Sequence, residues 1–264
     1  MKIIITLLML LTLSFTISAQ SKVVPIIDVK VGGLLGGVQN GKWLDAKTTF
    51  EMLSGEGSYT LFGIKGNIGE LTLTVEKPDE PCEDFYYAKN ELEDKQGVAI
   101  GTSRNWNVVP QTPTALNLTD KTYMKIVSDI LRSKGLTRAK ARIEQAVRVD
   151  LDGDGINEVI LTASSYAGNI QPNAKVGDYS FVLLRKIVGG KVKNIMIAEE
   201  YIKNKIDYGI PSHFEVSAIA DLNGDGKMEI VLFGEYYEGS GASVYEIKSD
   251  KLMKIKELET GCGV

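Results

Sequence analysis

The second half of the chain contains the same segment twice. "RIEQAVRVDLDGDGINEVILTA" (Arg142 to Ala163) aligns without gaps on "HFEVSAIADLNGDGKMEIVLFG" (His213 to Gly234), at a constant offset of 71 residues. Two further strand-like stretches follow each copy, joined by Gly189-Gly190 in the first and by Ser249-Asp250 in the second. The sequence therefore predicts one β unit used twice: strand, aspartate loop, strand, longer loop, strand, turn, strand.

The aspartate loop of each copy carries the oxygen ligands that a hard cation needs. Ca²⁺ binds about six to eight oxygens, and carboxylates on alternate residues of a tight loop converge on one point. The candidate ligands are Asp150, Asp152, Asp154, the Ile156 carbonyl and Glu158 in the first loop, and Asp221, Asn223, Asp225, the Lys227 carbonyl and Glu229 in the second. Asp-Gly and Asn-Gly also form turns without any metal. Because the same pattern occurs twice, we expect calcium binding.

The loops are not EF-hands. An EF-hand closes its site with a glutamate at the twelfth position of the loop. Leu161 and Leu232 stand there in the two copies, inside apolar runs typical of buried strands. The acid comes at the ninth position instead, as Glu158 and Glu229. The pattern predicts a calcium-type turn between two β-strands, with an ion that is structural rather than catalytic.

The motif D-x-[DN]-G-D-G-x-x-E before an apolar strand resembles the FG-GAP or VCBS type of calcium-binding repeat, which forms the blades of integrin-alpha-like β-propellers. The resemblance covers about Arg142 to Glu257 and implies two structural Ca²⁺ sites in two propeller-blade-like units, at about 140–200 and 212–260. The ninth position is glutamate where the family usually has aspartate. A closed propeller needs at least about four blades. We therefore expect a smaller β-domain; the alternative is that the N-terminal half supplies degenerate blades.

The remainder of the chain predicts a mainly β protein with one amphipathic helix. Residues 20–116 are β-rich and include the hairpin "SYTLFGIKGNIGELTLTVEK". The glycines between positions 32 and 37 lack a G-x-G-x-x-G order, so they indicate a flexible turn segment and not a phosphate loop. Apolar residues of "DKTYMKIVSDILRSKG" recur with helical spacing between a cap at Thr119 or Asp120 and Gly135. Residues 117–264 thus comprise this helix, expected to pack on the following sheet, and the two repeats.

The first residues predict export. Residues 1–19 have a lysine, an apolar run and a small-residue end, as in a cleaved secretory signal peptide. The apolar run is shorter than the roughly 20 residues of a membrane span, so we expect a secreted or periplasmic protein with no membrane anchor after signal removal. An exported chain with two cysteines favours a disulfide between Cys82 and Cys262 over two free thiols.

Composition limits the function further. The net charge of −4 gives no basic surface for nucleic acid, and the single histidine, His213, excludes a multi-histidine metal site. Glu235 and Glu238 flank two tyrosines, and two acids beside aromatic rings suit glycoside hydrolysis, in which one acid protonates and the other attacks or activates water. An exposed acidic loop is the favoured interpretation. The N-terminal region shows no catalytic motif, and the G-x-S-x-G order is absent around Ser240. We expect an interaction module that contacts a glycan or protein ligand through loops 164–178 and 235–243. The alternatives are a secreted carboxylate-dependent glycoside hydrolase and a purely structural envelope protein.

Overall fold

The computed structural model describes residues 22–89, 100–103, 106–166, 174–204 and 211–263. The predicted signal peptide, 1–19, lies outside these residues. Strands make up 54% of the structure and helices 9%, which confirms the mainly β class. Within the described ranges, no helix has both the length and the apolar character needed to cross a membrane.

The N-terminal region forms one closed antiparallel sheet. Its strands are β1 (Val24–Asp28), β2 (Gly33–Gln39), β3 (Lys42–Leu44), β4 (Glu56–Gly63), β5 (Gly66–Glu76), β6 (Tyr87–Lys89) and β7 (Ile100–Thr102), and the short helix α1 (Ala46–Glu51) follows β3. The strand order is β1-β7-β4-β5-β6-β2-β3, and β1 also pairs with β2. This last pairing closes six strands into a ring, to which β3 is attached. The predicted hairpin is β4 and β5.

The glycine-rich segment is a buried strand, and the expectation of a flexible turn there was wrong. Gly33 to Gln39 form β2, which pairs with β1 along its length. The glycines are required by close packing. A Cβ on Gly36, whose φ is +146°, would lie 2.4 Å from the carbonyl oxygen of Leu44, and a Cβ on Gly37 would lie 2.8 Å from the side chain of Thr49. Absence of a side chain lets two other elements touch the strand backbone, and a sequence pattern alone does not show those neighbours.

The two repeats have the predicted strand pattern. After the short strand β8 (Thr114–Ala115) and the helix α2 (Lys121–Ser133), the first repeat comprises β9 (Ile143–Val149), β10 (Glu158–Ser164), β11 (Tyr179–Val188) and β12 (Lys191–Tyr201). The second comprises β13 (His213–Ala220), β14 (Glu229–Tyr236), β15 (Gly239–Lys248) and β16 (Lys251–Gly263). Each forms an antiparallel meander, with β8 added to the edge of the first. The closed N-terminal sheet, with its non-sequential strand order, does not share this meander.

The sheet of the second repeat lies between the other two sheets. Alternate residues of its strands therefore enter two different cores. One core joins this sheet to the closed N-terminal sheet and includes Ala218, Ala220, Val231, Ile26 and Leu35. The other joins it to the first repeat and includes Ile219, Ile230, Leu232, Ile160 and Leu184. The inner strands β13 and β14 are largely buried on both faces because both faces are covered.

The helix α2 covers the outer face of the first repeat, as predicted. Val127 and Leu131 on the helix pack with Leu161 and Phe181 of the sheet in a third core. Asp120 is the N-cap and accepts a hydrogen bond from the backbone N–H of Thr122 over 2.8 Å. With a helix at one end of the stack and the closed sheet at the other, two repeats bury their apolar faces without closing a propeller.

The predicted disulfide is present and joins the two halves of the chain. Cys82 lies in the loop between β5 and β6, and Cys262 lies in the last strand, 180 residues later. Their Cα atoms are 5.6 Å apart, which is within the usual range for a disulfide. The bond ties the closed N-terminal sheet to the sheet of the second repeat.

Candidate metal centre

The two aspartate loops share most of their hydrogen bonds. In each repeat the loop joins the first two strands, and the aspartate at its first position accepts backbone N–H groups from the glycines. Gly153 and Gly155 donate to Asp150 over 2.8 and 2.9 Å. The equivalent bonds run from Gly224 and Gly226 to Asp221 over 2.6 and 2.9 Å. All four glycines have positive φ values, which glycine adopts without steric cost. Asp150 and Asp221 thus hold the loop backbones in place and also contribute negative charge to the loops.

The glutamate at the ninth position is buried in both loops. Glu158 is fully buried and Glu229 is 2% exposed. One oxygen of each accepts a backbone N–H of its own loop: Leu151 donates to Glu158 over 2.9 Å and Leu222 donates to Glu229 over 2.8 Å. A buried carboxylate without a countercharge costs several kcal/mol. Each glutamate therefore calls for a cation or a proton, and the two repeats differ in what they provide.

In the first loop the countercharge is the ammonium of Lys186. This residue lies in β11, is 1% exposed, and places Nζ 2.8 Å from Asp152 Oδ2 and 2.9 Å from Glu158 Oε1. Asp154 and Asp250 each have an oxygen 3.8 Å from the same nitrogen. Burial disfavours the charged ammonium, but the hydrogen bonds to Asp152 and Glu158 outweigh this and raise the pKa of Lys186.

The acids of the first loop also form a tight cluster. Asp150, Asp152 and Glu158 each bring one oxygen within 4.8 Å of the others, and no other three acidic, histidine or cysteine side chains in the described part of the chain meet this closely. One acceptor is left over: Asp152 Oδ1 is buried and has no hydrogen-bond partner. A divalent ion here would compete with the Lys186 ammonium for Asp152 and Glu158. The residues of the first loop are therefore already neutralised in part from within the protein.

In the second loop a glutamate takes the place of the lysine. The strand register gives the equivalence: Val159 faces Arg185 in the first repeat and Ile230 faces Tyr245 in the second. One position further along, Glu158 comes opposite Lys186 and Glu229 comes opposite Glu246. Lys186 and Glu246 are not among the residues predicted from the sequence, because each lies on a strand remote in sequence from its loop. The one signal for Lys186 was a basic residue inside the apolar strand "YSFVLLRKIV".

A cavity adjoins the second loop at this position. Its volume is about 390 Å³, and the oxygen-bearing side chains in its wall are Asn223, Asp225, Glu229, Glu246 and Glu257. Among the described residues Glu229 forms no ion pair, and the nearest ammonium to Glu246 is that of the exposed Lys248, at 3.8 Å. Burial raises the pKa of Glu229 well above its usual value, against the hydrogen bond from Leu222, and the nearby carboxylates raise it further. The wall also contains Lys42, Lys227 and Lys248, and none of the three forms an ion pair with Glu229 in the described structure. The carboxylates around the cavity are the type of ligand that a divalent cation binds.

The N-terminal region holds the second loop in place. Trp106 Nε1 donates a hydrogen bond to the carbonyl oxygen of Asp221 over 2.9 Å. The indole also covers Gly224, since a Cβ built on this glycine would lie 3.2 Å from Trp106 Cδ2. On the other side of the same residue, the backbone N–H of Asp221 donates to the carbonyl of Val108 over 2.7 Å. The second loop is thus an internal junction between the two halves of the protein.

Glu235 and Glu238, the two acids considered for glycoside hydrolysis, lie in different surroundings. Glu235 lies next to the last residue of β14, and its Oε1 is 3.2 Å from Nδ1 of His213. This hydrogen bond lowers the pKa of Glu235. A general acid in such an enzyme needs a raised pKa. Glu238 lies in the exposed turn that connects β14 to β15. His213 is paired with acids on both ring nitrogens, Glu235 at Nδ1 and Glu144 at Nε2.

Part of the predicted contact surface is described. Residues 235–243 form the ends of two paired strands and the turn between them, rather than a long loop. A shallow groove of about 650 Å³ runs beside them, with Glu235, Tyr236 and Tyr245 in its wall. Tyr236 and Tyr237 are exposed by 37% and 57%. The other predicted contact loop, 164–178, occupies the equivalent place in the first repeat, but residues 167–173 lie outside the described residues.

Comparisons with protein-family models, with curated proteins and with solved structures found no match to this chain. The resemblance of the two repeats to FG-GAP or VCBS units therefore stays a prediction.

Proposed function

We propose that this chain is an exported β-repeat protein that holds a structural Ca²⁺ ion in its second aspartate loop and serves as an interaction module. The observation that carries the proposal is Glu229: a carboxylate 2% exposed, without an ion pair in the described structure, beside a cavity that Glu246 and Asp225 also line. The predicted ligands are Asp221, Asn223, Asp225, the Lys227 carbonyl and Glu229, and Glu246 joins them. The ion supplies positive charge to the buried acids.

The position of the second loop explains why an ion there would be structural. The loop lies where the second repeat meets the closed N-terminal sheet, and Trp106 and Val108 bind it from that side. Neutralising its acids removes repulsion at this junction. The sheet is then more ordered before a ligand binds, so binding loses less conformational entropy and the affinity is higher. The groove beside Tyr236 lies on the same repeat, so we propose it as the contact surface for a glycan or protein ligand.

Export is supported by the disulfide. Disulfides persist in oxidising compartments and are rare in the cytosol of most organisms. The Cys82–Cys262 bond agrees with the signal-like sequence at 1–19, and both favour a secreted or periplasmic protein.

Thermal unfolding of the mature protein in saturating calcium and in chelator tests the ion site. We expect calcium to raise the melting temperature of the natural protein. Glu229→Gln keeps the shape of the side chain and removes the buried charge. We expect this variant to melt at or above the natural protein in chelator and to lose the calcium-dependent rise. The control is Glu238→Gln, which removes an exposed acid of the same repeat and should keep the rise. A melting curve that calcium does not change would refute the ion site.

A glycan array with mature protein, in calcium and in chelator, tests the interaction module. A binding module gives a signal that weakens in chelator, whereas a purely structural protein gives none in either condition. Tyr237→Ala, in the exposed turn beside the groove, should weaken the signal without changing the melting temperature by more than the control variant does. A panel of chromogenic glycosides examines the enzyme alternative.

A further inference from the structure

We infer that Lys186 is the resident cation of the first aspartate loop, and that the residue at this register position decides whether a loop uses an internal ammonium or an external divalent ion. Lysine at 186 makes the first loop independent of metal. Glutamate at 246 makes the second loop depend on it. The second half of this statement rests on the proposed function, and the first half stands on the contacts of Lys186.

The contacts of Lys186 are those of a bound cation. Its ammonium lies within hydrogen-bond distance of Asp152 and Glu158, at 2.8 and 2.9 Å, and two further acids, Asp154 and Asp250, approach to 3.8 Å. Since three of these four acids belong to the predicted calcium set of the first loop, the ammonium occupies the acceptors that the motif offers to a metal. Asp250 comes from the second repeat, so the ammonium also links the repeats.

The burial of Lys186 stabilises the arrangement in which its ammonium stands in place of a metal ion. The side chain is 1% exposed, and Leu184, two residues earlier on the same face of β11, is fully buried. A divalent ion that took the oxygens of Asp152 and Glu158 would remove both acceptors within hydrogen-bond distance of this buried ammonium, which is strongly unfavourable. The repulsion between an ammonium and a divalent ion close to it adds to this cost. The first loop therefore excludes calcium as long as Lys186 is in place.

The charges of the two loops differ at the same position. The first loop carries four carboxylates and receives one ammonium. The second carries three carboxylates, the neutral Asn223, and Lys227 where the first loop has Ile156. Glu246 adds a fourth acid where the first repeat has Lys186. Most hydrogen bonds within the two loops are alike, and the strand residue opposite the ninth-position glutamate is the difference that sets the charge beside that glutamate. We expect one calcium ion per chain.

Counting bound calcium tests the inference. The measurement is isothermal titration of the chelator-treated mature chain, with metal content after dialysis as a check. We expect one ion for the natural chain, none for Glu229→Gln, two for Lys186→Glu, and one for the double variant that carries both changes. Two ions on the natural chain, or no added ion on folded Lys186→Glu, would overturn the inference. If the natural chain binds none and Lys186→Glu binds one, the proposed second-loop site fails while the inference about the first loop stands.

A second measurement on the natural chain covers the case in which Lys186→Glu does not fold. Reductive methylation followed by peptide mass spectrometry reports which lysines are accessible. We expect Lys186 to stay unmodified with and without calcium, while Lys125, whose side chain is 74% exposed, is modified in both. If calcium makes Lys186 reactive, the ion displaces the ammonium and the inference is wrong.

Discussion

Glu144 of the first repeat and His213 of the second are joined by a hydrogen bond of 2.7 Å between Oε2 and Nε2. Glu235 lies 3.2 Å from the other ring nitrogen, Nδ1. Both acids accept from the imidazole when it is protonated, so the contact is a charged bridge across two sheets. Burial alone would lower the pKa of His213, but the hydrogen bonds to Glu144 and Glu235 outweigh it and raise the pKa from 6.5 to about 9.

This raised pKa predicts a loss of stability in mildly alkaline solution. The folded protein holds the proton of His213 more tightly than the unfolded chain does, so the contribution to stability is complete below about pH 6.5 and is lost as the pH rises through about 9. The loss is on the order of 3 kcal/mol. His213 is the single histidine of the chain, which leaves few other groups to titrate in this window.

Urea unfolding at a series of pH values between 6 and 9.5 measures this loss. His213→Gln keeps a polar side chain but has no proton to lose, so the decline should be absent in this variant. The same decline in natural protein and variant would show that another group is responsible. Calcium should be kept at saturation throughout, because the acids of the second loop also respond to pH.

The contact of Trp106 with the second loop predicts a fluorescence signal for ion binding. The chain has two tryptophans, Trp43 and Trp106, so Trp43→Phe isolates the indole that binds Asp221. We expect calcium to change the emission of Trp106 in this variant, because the ion alters the charge and order of the loop under the ring. Adding Asp225→Asn should abolish the change. Adding Asp152→Asn, in the first loop, should leave it intact, and an equal effect of the two substitutions would contradict the assignment of the ion to the second loop.

Local patterns predicted the parts of this fold that depend on neighbours in sequence. The offset of 71 residues located both loops and their flanking strands, and the helical spacing in α2 located the helix. The features that depend on distant residues were not predictable in the same way. Lys186 reaches Glu158 across 28 residues, and β2 is a strand because its glycines admit close neighbours. The Cys82–Cys262 pair was predicted from export rather than from proximity, which sequence spacing does not encode.

The position of α2 predicts that the helix stabilises the first repeat through its buried face. Leu131 is 1% exposed and lies in the same core as Phe181. Leu131→Ala should lower the free energy of unfolding by about 2–4 kcal/mol, from lost burial and the cavity left behind. Lys125→Ala on the exposed face of the helix is the matched control and should change it by less than about 0.5 kcal/mol. Urea unfolding compares the two, and equal effects would mean that the helix is not part of the cooperative unit.

The disulfide predicts a large difference in stability between the oxidised and reduced protein. The Cys82–Cys262 bond closes a segment of 180 residues, and the chain-entropy model assigns about 5 kcal/mol to a loop of this length, of which roughly 2–5 kcal/mol is commonly observed. Cys82→Ser with Cys262→Ser should therefore lower the free energy of unfolding by that amount.

The loss of stability in this variant should be greatest at the junction of β16 with the closed sheet, because Leu258 of β16 packs against Gly36 there. Hydrogen exchange followed by mass spectrometry locates the effect: faster exchange in β16 and β2 than in β9 and β10 is the expected result. Uniformly faster exchange in all four strands would show that the bond acts only on the unfolded chain.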